Sequence, residues 1–355
     1  MEVEEMRRMG AQQKVFDFYL LPDFSLQTSS SAIEALRLAN ETLGWDAYNW
    51  RLLTSDGSPI RASCGTLVVP DLALDEVRRA CAPHGEAGNP VICGGSTAPD
   101  RFRPLEFWLR ESRFRSRKIA ALGTGVYALA YSGLATGRRC SVHWEQYPTF
   151  TEEYPDVESK QTAFEVDGNL FSCPGGDSAF DLFLTIVEID FGLPVVNRIC
   201  EKAIAHRVRE EGERQRLPMQ TRLGISHSAL IAVIKYMEAN ILEPLSLKQV
   251  VNECGLSRRQ IERLFQQELG QSPARYYLNL RLERAHLLLR TSSLPITDVS
   301  VACGFASGSH FSKVYKEAYG CTPNLTRMAA ACRRKKRHEN YTLARETQPT
   351  TAVIA

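Results

Sequence analysis

Residues 245–270 read LSLKQVVNECGLSRRQIERLFQQELG, and residues 294–320 read LPITDVSVACGFASGSHFSKVYKEAYG. Both follow one plan. A short helix opens each, with apolar residues at one-face spacing: Leu247, Val250 and Val251 in the first, Ile296, Val299 and Ser300-Val301 in the second. Each breaks at Cys-Gly followed by an apolar residue, Cys254-Gly255-Leu256 and Cys303-Gly304-Phe305. Glycine takes the left-handed conformation that turns one helix across another within a few residues, and the apolar residue fills the angle. A serine then offers an N-cap, Ser257 or Ser307, and a second helix begins. This is a helix-turn-helix, met twice, about fifty residues apart.

Between the copies lies PARYYLNLRLERAHLLLR (273–290), whose Tyr277, Leu280, Leu282, Ala285, Leu288 and Leu289 suit one long connecting helix. A rigid connector can set two recognition helices about 34–36 Å apart, the separation of successive major grooves on one DNA face. The first recognition helix carries Ser257, Arg258, Arg259, Gln260 and Arg263, types that pair bidentately with guanine or adenine edges. The second carries Ser307, Ser309, His310 and Lys313, suited to phosphate or modest base contacts. Charge agrees. Residues 221–355 hold 19 Lys and Arg against 10 Asp and Glu, whereas residues 1–220 hold 24 against 31. A basic third on an acidic body implies that one end meets a polyanion.

The C-terminal segment resembles the AraC/XylS family of transcription activators over about 90 residues. The resemblance rests on Pro244 to Leu247, Gly255-Leu256-Ser257, Arg259, Phe265, Gly270 to Pro273, Arg281-Leu282, Cys303-Gly304-Phe305, His310-Phe311-Ser312 and Gly320 to Pro323. It implies promoter DNA as target, an activator's role, a homodimer on repeated half-sites, and RNA polymerase among the partners.

Residues 14–206 differ in character. KVFDFYLL (14–21), YNWRLLTSDG (48–57), TLVVPD (66–71), PVICGGS (90–96) and RRCSVHW (138–144) read as strands, and FEVDGNLFSC (164–173) as a hairpin about Asp167-Gly168. SSAIEALRLANETLG (30–44) reads as a helix stopped by Gly44. AFDLFLTIVEIDFG (179–192) reads as an apolar helix suited to a dimer interface or to closing the sheet. Strands alternating with helices predict a mostly parallel sheet covered on both faces.

Within it, RKIAALGTGVYALAYSGL (117–134) is a strand, a tight glycine turn and a helix. That run resembles the nucleophile-elbow region of the PfpI-type, glutamine-amidotransferase-like superfamily, and so implies a flavodoxin-like α/β fold. In that superfamily a cysteine stands on the turn and a histidine follows on a later strand. Here Gly123 occupies the cysteine's place and His143 lies twenty residues on. Without a thiol at 123 the covalent chemistry has no nucleophile, and Thr124 has no evident base beside it. The expectation is therefore no catalytic residue and no enzyme. The competing reading is an amidotransferase- or protease-like enzyme with an accessory DNA-binding domain; a third is an architectural nucleic-acid binder without an effector.

An elbow without its nucleophile is still a pocket. Phe24, Ser25, Gly94, Gly95, Gly123, Thr124, Gly125, Tyr127, His143 and Trp144 are its candidate lining. The glycine turns are expected to present backbone N–H groups to a carboxylate, and the rings of Phe24, Tyr127 and Trp144 to face a cation. The pairing of this domain with AraC-type helices resembles the GlxA-like regulators. That implies a small nitrogenous effector of the arginine, glycine betaine or carnitine type.

The expected organisation is a flexible start (1–13), a sensing domain (14–206), a charged linker (207–226), a DNA-binding domain (227–331) and a disordered basic tail (332–355) carrying RRKKR (333–337). Ten scattered cysteines without a C-x-x-C pair imply free thiols, with no metal or other cofactor. No apolar run reaches the 18 residues of a membrane helix, and MEVEEMRRMG lacks a signal peptide's apolar core, so the expectation is a cytoplasmic protein with no membrane partner.

Overall fold

The computed structural model describes residues 13–80, 88–95, 98–114, 117–205, 209–216 and 219–332. The expected flexible start, apart from Gln13, and the RRKKR tail lie outside them. The chain divides into two compact units between Gln215 and Arg216.

The first unit runs β1 (Lys14–Leu20), α1 (Leu26–Leu43), β2 (Tyr48–Thr54), β3 (Ile60–Arg61), β4 (Leu67–Val68), β5 (Leu72–Ala73), α2 (Leu74–Ala80), β6 (Asn89–Cys93), α3 (Arg103–Phe114), β7 (Ile119–Leu122), α4 (Val126–Tyr131), β8 (Arg139–Ser141), α5 (Tyr147–Glu153), β9 (Glu158–Lys160), β10 (Glu165–Asp167), β11 (Leu170–Cys173), α6 (Ser178–Phe191) and α7 (Leu193–Ala203). The main sheet has the order β10-β11-β7-β6-β1-β2-β5. All its neighbours run parallel except the β10–β11 hairpin. Side chains alternate across a strand, so each face of β1 feeds a different core. Phe16, Phe18 and Leu20 pack with α1, α6 and α7; Tyr19 and Leu21 pack with Trp108 and Leu109 of α3 and with α4. This is the flavodoxin-like architecture expected of strands covered on both faces.

Two expectations need correction. Helix α1 begins at Leu26, not at residue 30, because Ser25 already caps it: its Oγ accepts the Thr28 N–H at 3.3 Å. The segment 138–144 is a strand only over Arg139–Ser141, pairs with β9 outside the main sheet, and leaves His143 in the turn that follows. Of the two roles open to helix α6, its packing fits closing the sheet: Leu182, Phe183, Leu184, Ile186 and Val187 are buried within the unit, and Ile189 is exposed.

The second unit is helical: α8 (Met219–Leu223), α9 (Ser228–Ala239), α10 (Leu247–Cys254), α11 (Arg258–Leu269), α12 (Pro273–Thr291), α13 (Ile296–Ala302) and α14 (Gly308–Tyr319), followed by helical residues 323–332. Two small cores share α12. Its first half gives Tyr276 and Tyr277 to one, and its second half gives Leu282, Ala285, Leu288 and Leu289 to the other. Nineteen residues at 1.5 Å rise make α12 about 28 Å long. Val301, expected on the core side of α13, is 64% exposed; the buried polar Ser300 takes that face, its Oγ bonded to the Thr297 carbonyl.

Described residues within the expected linker 207–226 are packed. Arg209 pairs with the buried Asp181 at 2.9 Å, and Arg214 forms an antiparallel bridge with Thr162. Beyond Arg216, Met219 and Ile225 are buried in the helical unit's first core.

Candidate functional site

A cleft of ≈ 310 Å³ opens at the carboxyl ends of four neighbouring strands, where open α/β sheets hold ligands. Each strand contributes the residues just past its end: Ser25 after β1, Gly94 and Gly95 after β6, Gly123 after β7, Pro174, Gly175 and Gly176 after β11. Thr28, Ser63, His143, Glu145 and Gln146 complete the lining.

Close backbone approach dictates the glycines. A Cβ on Gly94 would stand 2.4 Å from the Gly125 nitrogen, one on Gly95 2.0 Å from the Asp23 carbonyl, and one on Gly125 2.2 Å from the Ile92 carbonyl. Gly123 sits at φ +59, the left-handed conformation of an elbow turn, so the turn survives without its side chain. An ideal Cβ there would lie 3.2 and 3.3 Å from the Gly94 and Gly95 carbonyl oxygens.

Half of the sequence candidates reach the cleft: Ser25, Gly94, Gly95, Gly123 and His143. The other half stand behind it. Phe24 is 1% exposed in the core under α1. Thr124 is buried, and its hydroxyl accepts the Gly95 N–H at 3.1 Å. Gly125 packs on β6. Tyr127 lies edge-on to Phe150 and donates its hydroxyl hydrogen to Gln146 at 3.3 Å. Trp144 leans on the His143 ring, 5.6 Å between centroids, outside the lining. Thr28, Ser63, Glu145, Gln146 and Pro174 to Gly176 escaped sequence reasoning. Pro-Gly-Gly directly after an apolar strand was the available signal, the same one that marked Gly94-Gly95.

The cleft's chemistry is polar. The His143 Nδ1 accepts the Glu145 backbone N–H at 3.2 Å, which places the imidazole hydrogen on Nε2. Burial holds its pKa below 6.5 against the opposing pull of Glu145. Cys173, beneath the cleft, receives the N–H groups of Gly175 and Gly123, and burial pushes its thiol up to about 12. Burial raises Cys93 as well, so neither thiol is a thiolate near neutral pH.

The helical unit presents two exposed helix faces. Ile261, Leu264 and Phe265 anchor α11, leaving Arg258, Arg259, Glu262 and Arg263 outward. Arg258 is engaged by Glu262 at 2.8 Å. Ser257 and Gln260 form a capping box: the Ser257 Oγ accepts the Gln260 N–H, and the Gln260 Oε1 accepts the Ser257 N–H at 2.8 Å. Among the described residues Arg259 and Arg263 have no ionic partner, and they stand one turn apart. In α14, Phe311 and Tyr315 are buried, Ser307 caps, and Ser309, His310 and Lys313 are exposed.

Comparison with known proteins agrees with both units. Residues 24–189 match the DJ-1/PfpI family and residues 250–329 a helix-turn-helix domain. The chain is 38% identical to the HTH-type transcriptional regulator GbdR of Pseudomonas aeruginosa, over 86% of this chain and 82% of that one. It is 36% identical to the regulator CdhR of the same species, over 88% and 91%. To the regulator GlxA of Rhizobium meliloti it is 29% identical, over 87% and 94%. The chain belongs to the AraC-type transcriptional regulators that carry a DJ-1/PfpI domain. It is a DNA-binding regulator of transcription. No helix among its described residues is long and apolar enough to cross a membrane.

Proposed function

We propose that this regulator activates transcription when a small nitrogenous metabolite occupies the strand-end cleft, and that it does so as a homodimer on promoter DNA within reach of RNA polymerase. The observation that carries the reading is the cleft itself: an intact elbow turn whose reactive position is Gly123, on the same chain as the paired helix-turn-helix units. Arg259 and Arg263 read bases. His310, Ser309 and Lys313 hold the adjoining groove segment. Ser257, Gln260 and Ser307 set the helix starts. The cleft binds without covalent chemistry: Gly123 leaves the elbow without a nucleophile, and the thiols at the strand ends beneath it, Cys93 and Cys173, are buried and protonated. Cys64, next to Ser63 at the rim, is exposed with its thiol pKa lowered by Thr66, and stands away from the elbow turn in sequence.

A thermal-shift screen of amino acids and amines on the full chain tests this. A ligand at a hundred times its Kd stabilises by about 2.7 kcal/mol. Ser63, exposed at the rim, allows a plug without disturbing the core. An active metabolite should raise the Tm of the wild type and not of Ser63→Trp. A screen with no shift, or a shift that persists in Ser63→Trp, refutes the sensing role. Selective alkylation of Cys93 or Cys173 in the folded chain would restore the enzyme reading.

A further inference from the structure

We infer that the cleft selects a cation bearing N–H donors, a primary ammonium or a guanidinium, over a quaternary ammonium. This rests on the cleft being the effector site.

The rings that would cage a methylated cation are elsewhere. Trimethylammonium groups bind through aromatic faces. Phe24 and Tyr127 are buried in the two cores, Trp144 lies outside the lining, and no described lining residue carries a phenyl, phenol or indole ring.

The backbone donors of the glycine turns are also taken. Gly94 N–H donates to Leu122 at 2.9 Å, Gly95 N–H to Thr124 at 3.1 Å and Gly176 N–H to Thr28 at 2.8 Å. Gly123 and Gly175 direct theirs to the Cys173 sulfur. The described glycines of these turns therefore do not form the anion nest expected from the sequence.

What remains is dominated by acceptors. Glu145 is half-buried in the lining, and among the described residues no cation pairs with its carboxylate. The carbonyl oxygens of Gly94 and Gly95 face the space beside Gly123, and the Gly94 oxygen already accepts the Ser25 N–H at 3.1 Å, with a second lone pair left for a ligand. Ser63 offers a hydroxyl and His143 its Nε2–H, enough to receive one ligand anion. A carboxylate and carbonyls withdrawn from water are satisfied by N–H groups, and charge-assisted bonds are the strong ones. A methylated nitrogen offers no hydrogen and leaves the carboxylate without a donor, which is how polar sites reject isosteres that lack one.

Calorimetric titration of the full chain with matched pairs tests the inference: L-lysine against its Nε-trimethyl form, and glycine against glycine betaine, with L-arginine as a further N–H cation. In at least one pair the N–H member should bind tenfold or more tightly than its methylated counterpart. Glu145→Gln should weaken the N–H member at least tenfold while the Tm of the free protein stays put. A quaternary member binding as well or better, no binding by any N–H cation, or affinity indifferent to Glu145→Gln would each overturn the inference. Betaine binding that Ser63→Trp abolishes would overturn this selectivity and leave the sensing role standing; a cleft that binds neither class would remove both.

Discussion

Gln215 accepts the backbone N–H of Trp144 through its Oε1 at 2.9 Å, while its Nε2 donates to the carbonyls of Val142 and Thr162 at 2.8 and 2.9 Å. One side chain thus fastens the turn that carries His143, Glu145 and Gln146 to the last residue before the helical unit begins at Arg216. The main chain reinforces it, with Gln215 N–H donating to the Gln161 carbonyl at 3.3 Å. The 143–146 wall of the cleft and the point where the chain leaves the α/β unit are thus held by one side chain.

Gln215→Ala removes these side-chain bonds: the Val142 carbonyl and the Trp144 N–H lose the Gln215 contact, while the Thr162 carbonyl keeps its bond from the Ser141 hydroxyl at 2.6 Å. Each such loss costs about 1–3 kcal/mol when the group stays shielded, less where water enters. The 142–146 amides should exchange hydrogen faster, and effector affinity should fall several-fold, while exchange in α11 is unchanged. Exchange mass spectrometry on peptides from both regions reads this out, and equal protection of residues 142–146 in variant and wild type would sink the clamp.

Arg259 and Arg258 are neighbours with unequal freedom, since Arg258 is tied to Glu262. Arg259→Ala should therefore relax preference at one base position and cost about 1–3 kcal/mol on the best site. Arg258→Ala should change affinity little and evenly. Competition binding against a library of half-site variants separates the cases. A loss spread evenly over all sequences for Arg259→Ala would show that it touches only phosphate.

Protonating His143 turns its Nδ1 into a donor facing the Glu145 N–H, so the bond between them is lost. Burial lowers its folded pKa below the ordinary 6.5. The unfolded chain then takes up the proton first as pH falls, and its contribution to stability, complete above about pH 6.5, declines through the window below. His286, also depressed by burial, adds a slope of the same sign from the helical unit. The difference between wild type and His143→Gln isolates the first residue: its urea midpoint should converge with that of the variant on acidification. A wild-type advantage that grows between pH 6.5 and 5 would contradict the assignment.

The helix-turn-helix pair was legible because its logic is local: a glycine at φ +63 or +73, a serine cap and an i, i+3, i+4 face are written in adjacent residues. The strand-to-helix turns were legible for the same reason. The cleft wall was not. Phe24 and Tyr127 sit beside the right turns in sequence, yet each points its ring into the core, where burial of a large apolar surface outweighs any ligand contact. Glu145 and Ser63 lie on irregular segments whose placement depends on distant partners, such as Gln215. The same holds for the supposed linker, whose charges read as solvated until Arg209 meets Asp181.

The two turn glycines provide the sharpest contrast. Gly255 and Gly304 share a left-handed backbone, at φ +63 and +73. Around Gly255 nothing lies within 4 Å of an ideal Cβ, whereas at Gly304 it would stand 2.4 Å from Pro244 Cγ and 2.6 Å from the Ile241 carbonyl. The second turn is thus packed against the segment leading into the first helix-turn-helix, a tie between the halves additional to α12. Arg281 of α12 secures it from the other side, donating to the carbonyls of Cys303 and Gly304 at 2.9 and 2.8 Å while its guanidinium lies 4.0 Å from the Phe305 ring centroid. Asparagine tolerates the left-handed region, so Gly255→Asn should cost no more than about 1 kcal/mol. Gly304→Asn meets the same backbone but must displace Pro244 or the Ile241 carbonyl, for about 1–3 kcal/mol of overpacking beyond any strain. By urea unfolding, the Gly304 variant should be clearly the weaker, and its DNA affinity should fall because the spacing of α11 and α14 is no longer fixed. Equal stability for the two variants would mean that the halves are joined by α12 alone.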